Sequence, residues 1–205
     1  MNGTYERGAP FYDAISGEWP VYRRGRVVGV ELLGLNEGDT VLDLGCGTGL
    51  NFPLLFAAVG PTGRVIGVDR SPAMLGMADR RIASNRWSNV TTVSADAAKF
   101  TASDLGQEQV DAVFATYSLS VIDDWRAAWE RMRAVLRPGG RAGIVDMQLP
   151  TGAAAILSPL ARLACAMGGS DITAHPWTIL REAGSDLSEV SVRGGHIVAA
   201  AATIP

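Results

Sequence analysis

The chain has 205 residues, 47% hydrophobic and 19% charged, which predicts one generous domain with a buried core. A net charge of −3, with no basic run or acidic tail, speaks against a nucleic-acid partner. Two cysteines, Cys46 and Cys165, lie far apart without metal-ligand spacing; this argues against a disulfide framework, predicts no metal and suits a cytoplasmic protein.

In chain order, the opening MNGTYERGAP lacks an apolar h-region, so a secretory signal is not expected. Residues 5–35 read as helical, although Gly25 and Gly29 weaken the pattern. Residues 1–35 are then an N-terminal helical lid segment, and 36–205 the core of the same single domain. Short β-branched runs alternate with helical ones, the pattern of an α/β protein with a parallel sheet. The predicted strands are 40–44, 64–68, 90–94, 110–116 and 141–146, with helices over 50–58, 72–85 and 125–136. Ser71 and Pro72 make a helix start, and Asp123 or Asp124 can cap the helix at Trp125. Arg137-Pro138-Gly139-Gly140 stops that helix. The apolar run 153–169 is shorter than the ~20 residues of a membrane span and contains Pro159 and Arg162. It reads as a buried or lid helix, or as a surface touching an apolar substrate or a membrane face. Runs 189–193 and 196–203, separated by Gly194-Gly195, predict an antiparallel hairpin that closes the sheet.

The chemistry concentrates in VLDLGCGTGLNFPLL, residues 41–55, where an apolar strand meets glycines at every second position. Gly45, Gly47 and Gly49 remove side chains that would keep a ligand from the end of the strand. A tight strand-to-helix turn alone would also use them. The dinucleotide fingerprint G-x-G-x-x-G needs its third glycine at Leu50 or Phe52, and neither register fits. Asp43, an acid just before the loop, would repel a pyrophosphate and suit an ammonium group. Cys46 fills a place in the loop where a small apolar residue is needed, and reads as packing beside the ligand, not as a nucleophile. In VIGVDRS, Asp69 stands about 20 residues past the last glycine, where an acid accepts ribose hydroxyls. In SADAAKF, Asp96 can receive a purine amine, and Ala97 can offer its backbone N–H to a ring nitrogen. Each acid alone reads equally well as a cap or a solvated charge. Together, a ribose and a purine without phosphate describe S-adenosylmethionine.

At these residues the chain resembles the class I S-adenosylmethionine-dependent methyltransferases. VLDLGCGTG, VIGVDRS, SADAAKF, VDAVFATYSLSVIDDW and LRPGGRAGIVD stand in the family's order across 40–146. The resemblance implies a Rossmann-like, doubly wound seven-stranded sheet of order 3-2-1-4-5-7-6 with the last strand antiparallel. It implies that the glycine loop holds the cofactor's methionine end, that Asp69 holds the ribose, and that Asp96 and Ala97 hold the adenine. Arg70 and Met74, after the second strand, complete the cofactor set. Thr116, Tyr117 and Ser118 are expected beside the amino-acid portion and the transferable methyl. The flanks FYDAISGEWPVYRRGR, HPWTILREAG and GGHIVAAAAT look like small bacterial phosphatidylethanolamine N-methyltransferases. That makes Tyr12, Tyr22 and Arg26 candidate lid contacts, with ordinary helix packing as the other reading. The Met-Asn and His-Arg-x-Trp segments of quinone-pathway methyltransferases are missing.

For the reaction, Tyr117 is the favoured acceptor-side residue, because an aromatic face suits an amine that becomes cationic. His175, in Thr-Ala-His-Pro, is a candidate base, and Asp146, ending the fifth strand, a candidate substrate contact. His196, Trp125 and Trp129 read as packing. The expected activity is metal-free methyl transfer to a small molecule or a lipid head group, a phosphatidylethanolamine-type amine being favoured, with peripheral membrane contact if the acceptor is a lipid. The alternatives are O- or C-methylation of a quinone or secondary metabolite, and a non-catalytic S-adenosylmethionine-binding sensor or partner subunit.

Overall fold

The computed structural model describes residues 21–106 and 109–205. Among them the strands are β1 (Thr40–Leu44), β2 (Arg64–Asp69), β3 (Val90–Ser94), β4 (Val110–Thr116), β5 (Leu136–Met147), β6 (Ser185–Val192) and β7 (Ile197–Ile204). They form one seven-stranded sheet of order β3-β2-β1-β4-β5-β7-β6. β1 to β5 pair in parallel, while β7 runs antiparallel to both β5 and β6. The predicted terminal hairpin is therefore present, but its second strand inserts beside β5. Only β7 is reversed, and β6 runs with the other strands. The helices are α1 (Arg23–Leu33), α2 (Phe52–Val59), α3 (Pro72–Asn85), α4 (Ala102–Leu105), α5 (Trp125–Val135), α6 (Ser158–Met167) and α7 (Ile179–Ala183).

The central strands are covered on both faces, so their sequences are apolar runs, not alternations. One face carries Trp129, Met132 and Leu180 against Leu42, Val113 and Ile144. The other carries Val28, Leu33, Phe52 and Leu55 against Val41, Phe114 and Val145. Burying each large side chain contributes roughly 1.5–3 kcal/mol.

Gly25 and Gly29, which weaken the helix pattern, have a packing reason. α1 lies across β5 and β7. A Cβ at Gly25 would strike the Tyr117 hydroxyl and Ile197, and one at Gly29 would strike Val145 and Phe114. The absent side chains let the helix backbone settle onto the sheet. The alanine run 199–202 of β7 is buried. Strand β5 begins five residues before its predicted start, because Leu136 already pairs with Val110 and the ladder shifts register before Ala112. Trp129 is in the core as expected, Trp125 is partly buried with Arg126 over its ring, and His196 sits at the β7 turn with Nδ1 2.6 Å from the Gln148 carbonyl oxygen.

Strand order reverses between β1 and β4. The crevice at their carboxyl ends is where ligands of open α/β sheets bind. The glycine loop, Asp69, Thr116, Tyr117 and Asp146 all stand at or just beyond strand ends.

Candidate functional site

The loop after β1 closes on itself. Gly45 and Cys46 donate their N–H groups to the Val68 carbonyl (2.8 and 3.0 Å), and Gly49 to the Cys46 carbonyl (2.9 Å). The Gly47 N–H goes to Asp69 Oδ2 at 2.9 Å. Four amides that a pyrophosphate would need are thus spent inside the protein, which agrees with the misfit of the dinucleotide fingerprint. A Cβ at Gly45 would collide with Ser118, whereas one at Gly47 (φ +55°) meets nothing within 4 Å. Gly47 is therefore required by its left-handed backbone, and it leaves open space beside the loop. Cys46 is buried, and burial pushes its thiol well up, so it stays neutral packing.

The three predicted acids differ. Asp69 is half-buried; Oδ2 takes Gly47 N–H and Oδ1 takes Ser71 N–H at 2.8 Å. It ties the glycine loop to the start of α3, which Ser71 caps through its Oγ. Asp96 accepts the Ala98 N–H at 2.9 Å and stands 3.9 Å from the Lys99 ammonium on the surface. Asp43 is fully buried. Its Oδ1 accepts from Asn51 Nδ2 at 2.8 Å, and its Oδ2 has no hydrogen-bond partner among the described residues. Burial, opposed by the Asn51 hydrogen bond and the Arg26 charge, raises its pKa to about 7.

Asn51 connects this acid to the N-terminal segment. The same amide nitrogen donates to Thr116 Oγ1 at 2.8 Å, and Arg26 donates to Asn51 Oδ1 at 3.0 Å and to Thr116 Oγ1 at 2.8 Å. The sequence reading missed Asn51. It stands as a single amide ahead of the apolar helix FPLLFAAV, a place that does not by itself mark a bridging residue.

Tyr117 lies beyond β4 with φ +54°, a strained conformation for a tyrosine and typical of functional positions. Its hydroxyl donates to the Tyr22 carbonyl at 2.8 Å. The Tyr22 ring meets it edge-on at 4.9 Å, and the Arg26 guanidinium stands 5.0 Å from the Tyr117 ring centre. Tyr22 and Tyr117 also flank an apolar cluster of Met147, Ala161, Cys165 and Ile172. Two of the three candidate lid residues thus reach the crevice; Tyr12 lies outside the described residues.

Other candidates are placed differently. Ser118 is buried and donates to the Leu44 carbonyl at 2.8 Å, bracing the glycine loop from behind. Asp146, expected to contact substrate, is fully buried, accepting from Ser120 N (3.0 Å), Ser120 Oγ (2.7 Å) and Met147 N (2.9 Å). The geometry gives it the task of holding the 3-10 turn Leu119–Val121 beside Tyr117. Burial raises its pKa to about 6. His175 is partly buried with φ +44°, its ring 5.0 Å from Trp177, and its carbonyl accepts from Thr178 N and Oγ1. Its loop is tied to the same turn through Asp171 N–H and the Ser120 carbonyl. Arg70 is exposed, Met74 is buried in the first turn of α3, and Ala97 is partly buried beyond β3. Among the described residues no group of three or more His, Cys, Asp or Glu side chains could hold a metal.

Comparison with known proteins decides the family. Residues 41–140 match the family described as "Methyltransferase domain". A 2-phytyl-1,4-naphtoquinone methyltransferase of Synechococcus elongatus is 33% identical over 154 residues, 73% of this chain and 64% of that protein. The matched stretch, residues 41–140, belongs to the S-adenosylmethionine-dependent methyltransferases. A demethylmenaquinone methyltransferase of Staphylococcus aureus is 35% identical over 119 residues, 58% of this chain and 47% of that protein. The chain therefore spans less than two thirds of the length of these two relatives. The crystal structure of the S-adenosylmethionine-dependent methyltransferase SibL shares the fold, with a TM-score of 0.73 at 20% identity, covering 95% of this chain and 58% of that one. The flank resemblance to phosphatidylethanolamine methyltransferases is not echoed in these curated relatives, whose names are those of quinone methyltransferases.

The methyl donor of the family is S-adenosylmethionine, and the crevice fits it. An unpartnered buried carboxylate oxygen at Asp43 suits an ammonium, the space beside Gly47 leaves room for a ligand at the backbone, and the loop amides already in use make no demand for phosphate.

Proposed function

We propose that the protein transfers a methyl group from S-adenosylmethionine to a small, apolar acceptor of the quinone type. The observation that carries this reading is the composition of the wall beyond β4 and β5. Tyr117 and Tyr22 meet there edge-on, over a cluster of Met147, Ala161, Cys165 and Ile172. Such a wall suits a flat, apolar ring. The names of the two quinone methyltransferases support the same acceptor class. They weigh against the phosphatidylethanolamine-type amine expected from the flanks.

In this reading Asp43 and the glycine loop hold the methionine end of the donor, Asp69 the ribose, and Asp96 with Ala97 the adenine. S-adenosylmethionine, when bound, supplies an activated methyl group on a sulfonium. The chain's own residues orient the acceptor and exclude water. Arg26, Asn51 and Thr116 fix the polar side of the crevice through a continuous hydrogen-bond chain. Tyr117, anchored at both its hydroxyl and its amide, presents a rigid ring on the apolar side. Asp146 holds the Leu119–Val121 turn from which that side is built. A hydroquinone acceptor must lose a hydroxyl proton to become strongly nucleophilic, and His175 is the candidate to take it.

The test is transfer of labelled methyl from S-adenosylmethionine to a demethylated naphthoquinol in detergent, beside phosphatidylethanolamine vesicles and a soluble amine. Labelled quinone is the expected product. Labelled lipid without labelled quinone would restore the head-group reading. Donor binding by calorimetry with no transfer to any acceptor would favour the sensor reading.

A further inference from the structure

The outer face of α6 is apolar where a surface helix should be polar. Ala161 and Cys165 turn inward onto the cluster that Tyr117 and Tyr22 flank. Helical spacing puts Leu163 opposite that seam, with Leu160 and Met167 beside it. These three, together with Ile156 and Leu157 in the 3-10 turn Gly152–Leu157, are between 53% and 84% exposed. Five large apolar side chains on one short segment form a patch of the kind that marks an interaction surface.

The flanks of that patch are cationic. The β6–β7 turn packs against the start of the segment: Thr151 N–H donates to the Gly194 carbonyl at 2.8 Å, and a Cβ on Gly194 would meet Ala154 at 2.6 Å. From the same turn, Arg193 reaches the Val21 carbonyl at 3.4 Å and lines a pocket with Arg23, Arg24 and Val27 of α1. Arg162 lies on α6 itself and is exposed. Stretches 21–30, 150–170 and 190–198 carry five arginines, Arg26 included, and no Asp or Glu.

We propose that this face docks on an anionic phospholipid bilayer, with Ile156, Leu157, Leu160, Leu163 and Met167 inserted and Arg23, Arg24, Arg162 and Arg193 at the head-group level. Charge complementarity selects this occupant. A second copy meeting the patch with this same face offers the arginines no Asp or Glu from stretches 21–30, 150–170 or 190–198. An anionic lipid surface instead attracts each of them, and the leucines gain an apolar phase to enter. The docking goes beyond the acceptor assignment and does not depend on it. Because the inner face of α6 borders Tyr117 and Tyr22, docking would set the acceptor wall beside the lipid phase.

The experiment is co-sedimentation of the full chain with vesicles of phosphatidylcholine and phosphatidylglycerol in equal parts, beside vesicles of phosphatidylcholine alone. Binding is expected to the anionic vesicles, weaker to the neutral ones, and falling as salt rises. R23Q/R24Q, which removes two charges, should lower the partition roughly twenty-five-fold, at about fivefold per charge. L160E/L163E should abolish it, with an unchanged thermal midpoint because both side chains are on the surface. S-adenosylhomocysteine binding by calorimetry on the same samples separates failure of docking from failure of the methyltransferase reading. Equal binding to both vesicle types, insensitivity to salt, or no binding at all would overturn the proposal. So would a dimer that L160E/L163E dissolves in a protein that ignores vesicles.

Discussion

The β1–β3 side of the crevice holds its polar groups by local means, and the β4–β5 side by distant ones. Asp69 is fixed by Ser71, two residues away, and Asp96 by Ala98. Across the crevice, Tyr117 is fixed by Tyr22, 95 residues away, and Thr116 by Arg26, 90 residues away. The first side is therefore built mainly from short loops, with Asp69 also holding Gly47, 22 residues earlier. The second exists only when α1 and α6 are docked on the sheet, and the Arg26–Asn51–Asp43 hydrogen bonds carry that docking across to β1.

The largest expected effect probes the buried acids that lie on both sides. Asp43 and Asp146 have pKa values raised by burial to about 7 and about 6. Their unfolded values lie near 3.8. The folded chain thus keeps protons that the unfolded chain has released, and folding stability falls as pH rises from about 4 to 7. The shift at Asp43 alone corresponds to something on the order of 4 kcal/mol. Asp111 and Asp171, held below the usual carboxylate range, act in the opposite sense, below about pH 4. Urea midpoints of the unliganded protein should show the decline, and Asp43→Asn should flatten it between pH 6 and 7. A flat profile in the parent protein would remove Asp43 as a buried, proton-holding group. An ammonium beside Asp43 stabilises the carboxylate, so donor affinity should rise through the same pH range.

Next in size is Asp69→Ala. It removes the Gly47 and Ser71 ties as well as the proposed ribose contacts. Charge-assisted hydrogen bonds contribute roughly 1.5–3 kcal/mol, about tenfold to a hundredfold in donor affinity by calorimetry. An unchanged dissociation constant in a folded variant would take Asp69 out of the donor site. Asp146→Asn comes third. It leaves a buried Ser120 or Met147 donor without its acceptor, at about 1–3 kcal/mol of stability. Because Asp146 acts through the Leu119–Val121 turn, the acceptor KM should rise more than kcat falls. A hundredfold loss of kcat at unchanged stability would return Asp146 to the reacting atoms.

The same division governs how much could be read in the sequence. The glycine loop and the strand-end positions of Asp69 and Asp96 were legible, because motif spacing and local periodicity determine them; the strand order came with the family resemblance and not from periodicity. Gly25 and Gly29 misled in the expected way: helix propensity is a local quantity, and their reason is the close approach of Tyr117, Val145 and Phe114 from strands remote in sequence. Asn51 was invisible because nothing local distinguishes a bridging amide from a helix-start residue. Asp146 was placed at the correct edge, but its direction depends on Ser120, across the β4–β5 boundary. The apolar outer face of α6 was legible as a run and ambiguous as a surface. Burial of Ala161 and Cys165 alone decides which side faces in.

The smallest predicted effect tests the distant side at its tightest point. Tyr117→Phe removes one hydroxyl, and with it the hydrogen bond to the Tyr22 carbonyl. The ring stays, so the edge-on contact with Tyr22 and the Arg26 guanidinium over the face are kept. The freed carbonyl is part-buried and can turn to water, so the cost in stability should be about 0.5–1.5 kcal/mol, read from the urea midpoint. If the ring alone faces the acceptor, kcat should hold within about threefold, since less than 1 kcal/mol of transition-state energy is at stake. Tyr117→Ala, which deletes the wall, should raise the acceptor KM and leave donor binding intact. A large loss of kcat in Tyr117→Phe at normal stability would show instead that the hydroxyl reaches the reacting atoms, and that the Tyr22 contact opens before the acceptor binds.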